Sequence, residues 1–483
     1  MVRSAIAVVL GLLLALSPLD PRVAPTARDG AAAPAPTYLS AARADDDDDG
    51  DDDDGDGGGG GGGLSGGGDG GGGPVWRPPQ GEGFAPLRRL FGIAPQRPAR
   101  RAAPQTPPPV AAEREIVAIG VSEALLGSLV SEGWVLLESV LLERIGERLV
   151  RLGLPDGIGL EDARASIADR APDARVDLEH FYRPGSDPDA PPPWSDACAG
   201  PQCAAPRLVA WPAPPGAHPA CAEGLRIGMI DSGINVAHDH LRDATIAVTL
   251  LDPEAERSDA YHGTSVAALL VGAPDSRTPG LLPRAELVAV DVFQGAPGND
   301  LRAGAFALAR GLERFVGAGV PVVNLSLAGP PNAVVERLVE LLLADGVALV
   351  AASGNAGPRA EPAYPAAYAG VVAVTAVDRS GRVYRRAGRG PHVDLAAPGV
   401  EVWAAASVSG ARPRTGTSFA APFVTAAIAL TAQANAAGDA ATRLADRARD
   451  LGEPGRDEIY GAGLLQVGNV CDTPATALPA AGP

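Results

Sequence analysis

Three short stretches of this sequence carry side chains that together could split an acyl bond. Ile227-Gly-Met-Ile-Asp-Ser-Gly233 sets Asp231 directly after an apolar run. His262-Gly-Thr-Ser-Val-Ala-Ala-Leu-Leu-Val-Gly272 sets His262 ahead of a run of small and apolar residues, and Gly416-Thr-Ser-Phe-Ala-Ala-Pro422 sets Ser418 at the head of another. A serine hydroxyl is a weak nucleophile until a neighbouring imidazole takes its proton. The imidazole in turn needs a carboxylate to fix its tautomer and stabilise the imidazolium. A serine that opens a helix also has unpaired backbone N–H groups beside it, suited to developing negative charge. Singly, each residue has a plainer reading: a turn aspartate, a satisfied buried histidine, a helix N-cap serine. Their occurrence together is what points to nucleophilic catalysis.

The surrounding elements should place these residues at one edge. Leu225 to Ile230, Glu286 to Val292, Val320 to Leu325, Val347 to Ala352 and Val371 to Val377 are short runs of Val, Ile, Leu and Ala. Leu301 to Val316 and Ala333 to Ala344 have helical spacing between them. Such alternation predicts a parallel α/β sheet covered on both faces. An aspartate just after a buried strand then lies at the carboxyl edge, where open α/β sheets carry their sites.

A second unit precedes this one. Glu115 to Gly120 reads as a strand and Ser122 to Ser131 as a helix capped by Ser122. Trp134 to Leu141 and Gly146 to Leu152 read as strands, Leu160 to Ala171 as a helix, and Ala174 to Leu178 as a short strand. The β-α-β-β-α-β order predicts an α+β ferredoxin-like domain. Arg183 to Pro215 is proline-rich and polar and reads as a linker.

Composition narrows the function classes. Eleven aspartates between Asp45 and Asp69 supply most of the net charge of −18, in a tract of almost only aspartate and glycine. Such a tract buries too little apolar surface to offset its ordering entropy. No basic stripe exists, so nucleic acid is not an expected partner. The chain has no lysine, which excludes a serine–lysine dyad and a Schiff-base lysine. Arg3 followed by the apolar stretch Ala5 to Leu16 reads as a signal peptide, and twelve residues are too few to span a bilayer as a helix. Export to the periplasm or the extracellular space is therefore expected, with no transmembrane span after signal removal. Four cysteines, Cys198, Cys203, Cys221 and Cys471, fit disulfides in an exported chain better than a zinc site. The expected pairs are Cys198 with Cys203 and Cys221 with Cys471, the second closing a long loop.

The motifs D-S-G, H-G-T-x-V-A and G-T-S-x-A-A-P, in the order Asp, His, Ser, resemble those of the subtilisin-like (S8) serine peptidases. The resemblance covers about Pro206 to Asn469, and more weakly Glu113 to Arg183, which is similar to the family's propeptide. It implies an endopeptidase acting on protein or peptide substrates, with Ser418 as nucleophile, His262 as general base and acid, and Asp231 orienting it. It implies an oxyanion hole from the Asn355 side chain and the Ser418 backbone N–H. It also implies substrate-binding positions at Ser326, Leu327, Ala328, Gly329, Ala352 and Ala363. Family members often have glycine at the positions of Ala328 and Ala363, so a shallower pocket is expected. The resemblance further implies that the Glu179-His-Phe-Tyr-Arg183 tail runs through the site, so the propeptide-like domain is itself an expected partner. No cofactor and no metal are assigned, and His238-Asp-His240 is read as a structural segment. The organisation expected is a signal peptide over 1–24, a disordered Asp/Gly- and Pro-rich segment over 25–112, the propeptide-like domain over 113–183, a linker over 184–205, the catalytic domain over 206–471 and a tail over 472–483.

Overall fold

A computed structural model describes residues 108–184, 204–213, 219, 222–252, 257–295, 300–432 and 437–468. The expected signal peptide, the Asp/Gly tract and all four cysteines lie outside the described residues.

The first part of this region runs β1 (Ala111–Ile119), α1 (Glu123–Ser131), β2 (Val135–Leu142), β3 (Glu147–Gly153), α2 (Leu160–Arg170) and β4 (Arg175–Pro184). The four strands pair antiparallel in the order β4-β1-β3-β2. Period-two alternation divides β1 between two cores. Ile116 and Ala118 pack with Leu129 of α1 and Ile167 of α2, while Val117 and Ile119 face the other way, into a core shared with Leu312 and Leu338. The Ser122 side chain caps α1, accepting from Leu125 N at 3.3 Å.

A short helix α3 (Ala204–Leu208) precedes the second part. There follow β5 (Arg226–Asp231), β6 (Ile246–Leu250), α4 (Tyr261–Val271), β7 (Glu286–Asp291), β8 (Ala303–Gly304), α5 (Ala305–Glu313), β9 (Val322–Leu325), β10 (Leu327–Ala328) and α6 (Ala333–Ala344). The chain continues through β11 (Ala348–Ala352), β12 (Val372–Val377), β13 (Val393–Pro398), the hairpin β14 (Val402–Ala405) and β15 (Ala411–Arg414), α7 (Thr417–Ala432) and α8 (Ala437–Asp446). Seven strands form one sheet in the order β13-β12-β11-β9-β5-β7-β6, every pair parallel. The inner strands are dominated by apolar residues because both faces are covered. Ile227 and Met229 meet Val266 of α4 and Phe423 of α7, whereas Ile230 meets the layer of Leu308 in α5 and Leu338 in α6.

Several bounds differ from the sequence reading. β4 does not stop at Leu178 but continues to Pro184, because its tail pairs with β10 on one side and β8 on the other. The helix expected over Leu301 to Val316 is α5 alone; Ala303 and Gly304 are taken by the pairing with β4. The sequence pattern does not mark β6 and β13 as strands. Both are edge strands, and the second contains Asp394 and ends on Pro398, residues poor in strand propensity.

Candidate active site

Asp231 is the last residue of β5 and His262 the second residue of α4. The His262 Nδ1 lies 2.7 Å from Asp231 Oδ1, and both side chains are almost fully buried. The same oxygen accepts from Ser232 N at 2.7 Å. The next link ties the two elements directly: Gly263 N donates to Ser232 Oγ at 3.0 Å. A Cβ on Gly263 would sit 2.3 Å from the Ser232 carbonyl oxygen, so only glycine lets α4 come this close to β5. The outer nitrogen, His262 Nε2, is buried without a hydrogen-bond partner among the described residues. A pocketed imidazole with its inner nitrogen on a carboxylate and its outer nitrogen unengaged is arranged to exchange a proton.

Ser418 is the second residue of α7 and fully buried, and the ring of its neighbour Phe419 lies 5.4 Å from the His262 ring. The Ser418 hydroxyl donates to the Ser326 carbonyl at 3.0 Å. Ser326 replies through its own side chain, donating to the Ser418 carbonyl at 2.8 Å. Behind them, Asn324 Nδ2 donates to Ser326 Oγ at 2.8 Å, and Thr425 Oγ1 donates to Asn324 Oδ1 at 3.0 Å. This buried relay fixes the start of α7 against β9. Sequence reading passed over Asn324 and Thr425; the available signal was a polar residue inside each of two apolar runs.

Asn355 lies in the loop after β11. Thr417 N donates to Asn355 Oδ1 at 3.1 Å, and Thr417 Oγ1 to the same atom at 3.2 Å. A backbone N–H can only donate, so the end of the amide that meets Thr417 is the oxygen, and the NH₂ is the other end. Thr417 Oγ1 also accepts from Gly354 N at 3.2 Å. Around this loop the other predicted positions converge. Ala352 ends β11, and a Cβ placed on Gly354 would lie 2.9 Å from Ala363 Cβ and 3.8 Å from Ala328 Cβ. Gly329 and Tyr364 exchange two backbone hydrogen bonds of 2.9 Å, which sets Ala363 beside β10. The structure thus brings Asp231 to His262, Ser418 to Ser326, and Asn355 to Thr417, with Leu327 to Gly329 along the rim.

That rim is occupied by the protein's own chain. β4 pairs antiparallel with β10, Arg183 opposite Ala328 and Pro184 opposite Leu327, and with β8, Phe181 opposite Gly304 and Tyr182 opposite Ala303. Tyr182 is fully buried, its ring over Gly329, where a Cβ would come within 2.5 Å of the ring. Two carboxylates of β4 cap helices of the second part. Glu179 Oε2 accepts from Phe306 N of α5 at 3.1 Å, and Asp177 Oδ2 from Ala333 N of α6 at 2.8 Å. Burial raises the Glu179 carboxyl to about 8, although the Phe306 N–H and the Arg151 guanidinium both pull it down.

Two further groups flank His262. Ser258 Oγ donates to Asp291 Oδ1 at 2.7 Å and accepts from Gly233 N at 2.8 Å, so Asp291 supports the turn after Asp231; burial raises its carboxyl. Tyr261 lies under the Arg414 guanidinium at 3.8 Å, and Arg414 Nε donates to Ser265 Oγ at 3.0 Å. Burial lowers Arg414 to about 10. The His238 and His240 pair serves the local turn. His238 Nδ1 accepts from His240 N, and His240 Nδ1 lies 2.7 Å from Thr278 Oγ1. No group of three His, Cys, Asp or Glu fit to hold a metal occurs among the described residues.

Comparison with known proteins agrees with this architecture. Residues 222–463 match the model of the subtilase family. The chain is 34% identical over 247 residues to Subtilisin BL of Lederbergia lenta, covering 50% of this chain and 88% of that protein. It is 32% identical over 251 residues to the Minor extracellular protease Epr of Bacillus subtilis, covering 50% of this chain but only 38% of that protein. In fold it is similar to fervidolysin from Fervidobacterium pennivorans, a keratinolytic enzyme related to subtilisin. That likeness has a TM-score of 0.62 and 21% identity, and covers 77% of this chain and 63% of the other. The chain belongs to the subtilase family and is a subtilisin-like serine endopeptidase.

Proposed function

We propose that Ser418 attacks the scissile carbonyl, forming an acyl-enzyme. His262 takes its proton and returns it to the leaving amine, while Asp231 holds the imidazole and stabilises its charged form. The observation that carries this is the buried 2.7 Å pair of His262 and Asp231, with Nε2 unengaged and Ser418 at the start of the helix packed against it. For attack, the Ser418 hydroxyl leaves the Ser326 carbonyl and turns towards Nε2. The Asn355 NH₂ and the Ser418 N–H serve the tetrahedral oxyanion. Ser326, Leu327, Ala328 and Gly329 pair with the substrate backbone, and Ala352, Ala328 and Ala363 wall the pocket for the residue before the scissile bond.

The β1–β4 domain acts as a ferredoxin-like propeptide that inhibits the enzyme. Its support is the seating of β4 as a middle strand between β8 and β10, the place an extended substrate would take by strand addition. Maturation then cuts between Arg183 and Pro206. The enzyme is exported, and works in the periplasm or outside the cell; the extracellular relative and the signal-like N-terminus support this. Among the described residues no helix is long and apolar enough to cross a membrane. Labelling by a fluorophosphonate probe, lost in Ser418→Ala, tests the nucleophile. Addition of the separately produced domain to active enzyme tests the propeptide: no loss of activity at micromolar concentration would refute inhibition.

A further inference from the structure

β4 shows its two faces to different surroundings. By strand alternation Glu179, Phe181 and Arg183 share one face, and His180 and Tyr182 the other. Tyr182 goes down into the core, while Phe181 and Arg183 meet a short rim that precedes β8. Arg302 lies with its guanidinium carbon 3.8 Å from the centre of the Phe181 ring. Arg183 reaches Asp300, with NH2 at 3.0 Å and Nε at 3.1 Å from Oδ1. Arg302 NH1 donates to the other Asp300 oxygen at 2.6 Å, so the two rim residues are themselves locked together. The backbone of Arg302 is fixed in turn by two hydrogen bonds with Gln294, of 2.8 and 3.0 Å. Asp300 has φ of +57°, a conformation that non-glycine residues enter at some cost and that aspartate and asparagine tolerate best.

The direction of the chain says which part of a substrate this rim would meet. β4 runs along β10 from Ala328 to Leu327, towards Ser326, whose carbonyl accepts the Ser418 hydroxyl. Phe181 and Arg183 therefore stand where residues on the N-terminal side of a scissile bond would lie. We propose that Asp300 and Arg302 form a specificity rim. It favours substrates with an aromatic residue and, two positions later, a cationic residue, both upstream of the bond that is cut. Arg302 takes the aromatic face by cation–π contact, and Asp300 takes the cation by an ion pair. The backbone pairing in the cleft is indifferent to sequence; the rim supplies a preference by side-chain chemistry alone. This rests on the reading of β4 as a substrate-like occupant of the cleft.

The test produces the full chain, takes its active form and measures inhibition of casein hydrolysis by three synthetic peptides. The first has the sequence of Glu179 to Ser186, the second carries Arg183→Glu and the third Phe181→Ala. The wild-type enzyme should bind the unaltered peptide about two- to fivefold more tightly than either altered one. Asp300→Asn, which keeps a side chain suited to the backbone, should abolish the arginine preference and keep the phenylalanine preference. Arg302→Gln should do the reverse. A role confined to holding the loop would lower binding of all three peptides together and leave both ratios intact, and unchanged ratios in the two variants overturn the proposal. If casein is cleaved but none of the peptides competes, the proposal falls and the peptidase assignment stands. If no Ser418-dependent cleavage of casein occurs, the assignment falls and takes the proposal with it.

Discussion

The starts of α5 and α6 and the start of α7 present the same physical resource and meet it differently. Each helix opens with backbone N–H groups that lack intrahelical partners. At α5 and α6 carboxylates of β4 fill the opening: Glu179 on Phe306 N, and Asp177 on Ala333 N beside the Asn332 cap. At α7 no carboxylate arrives among the described residues. The opening residue Thr417 instead orients Asn355, and Ser418 follows it with its hydroxyl on a carbonyl. In one region these helix ends are thus met by carboxyl groups of β4 that are in place before any reaction. In the other, on the proposed mechanism, they are kept for a charge that exists only during reaction. Changes at α7 should act on turnover, and changes at α5 on whether the cleft is open.

The largest effect separates the two regions most cleanly. Ser418→Ala removes one oxygen from a buried position and should leave the fold intact. Peptidase activity is expected to fall by on the order of 10⁶, the figure known for subtilisin. Adding His262→Ala should lower it little further, because the residues act as a unit. Substantial activity left in purified Ser418→Ala protein would break the assignment. Next comes Asn355→Ala, expected to lower kcat by about 10²–10³ with little change in KM, again by analogy with a subtilisin oxyanion donor. Equal losses in kcat and rises in KM would mean that Asn355 shapes the cleft instead.

At α5 the expected effect depends on pH. A solvated glutamate ordinarily titrates near 4.5; in the docked chain burial raises Glu179 to about 8. The docked form therefore holds a proton that the free domain has lost. Docking is fully favoured below the usual carboxylate range and weakens as pH rises to about 8, by up to tenfold per unit. His180, lowered by burial from 6.5, has the opposite sense and acts only near and below that value. Inhibition constants of the separate β1–β4 domain measured from pH 7 to 8 should thus isolate Glu179. The domain has a core of its own around Leu129, Leu152 and Ile167. The constant should rise with pH in the wild type and stay nearly flat in Glu179→Gln. A slope that survives the substitution would assign the effect elsewhere.

Much of this was legible in local sequence, and the rest depended on distant partners. The central strands β5, β9, β11 and β12 announce themselves because burial on both faces demands predominantly apolar runs. The three motifs were equally plain, since His262 and Ser418 precede runs of small residues that only close helix packing explains. The edge strand β6, with exposed Ala247 among half-buried neighbours, carries no such signal. The extension of β4 to Pro184 is set by two short strands, β8 and β10, that lie more than a hundred residues away. Nor could spacing show that Ser326, Asn324 and Thr425 form one relay, because their link exists only when β9 and α7 pack.

The smallest expected effect concerns the pocket beside Asn355. Ala328 and Ala363 both bring methyl groups close to where a Cβ on Gly354 would lie. Each methyl takes up room that a glycine would leave, so the pocket should suit Ala, Val, Leu or Met before the scissile bond better than Phe or Tyr. Ala328→Gly, at the half-buried rim, should relax this first. Ala363→Gly should add to it, because the two methyl groups approach Gly354 from different segments. A difference of one or two carbons in a pocket is worth about 1–3 kcal/mol, so the preference should be graded rather than absolute. The ratio of kcat/KM for Phe against Ala substrates should climb stepwise from wild type to single to double variant. The His262 and Asp231 pair touches neither alanine, so kcat on the small substrate should hold nearly constant through the series. A wild-type enzyme that clearly favours aromatic residues at this position would show that the pocket opens elsewhere, and that the two methyl groups do not set its depth.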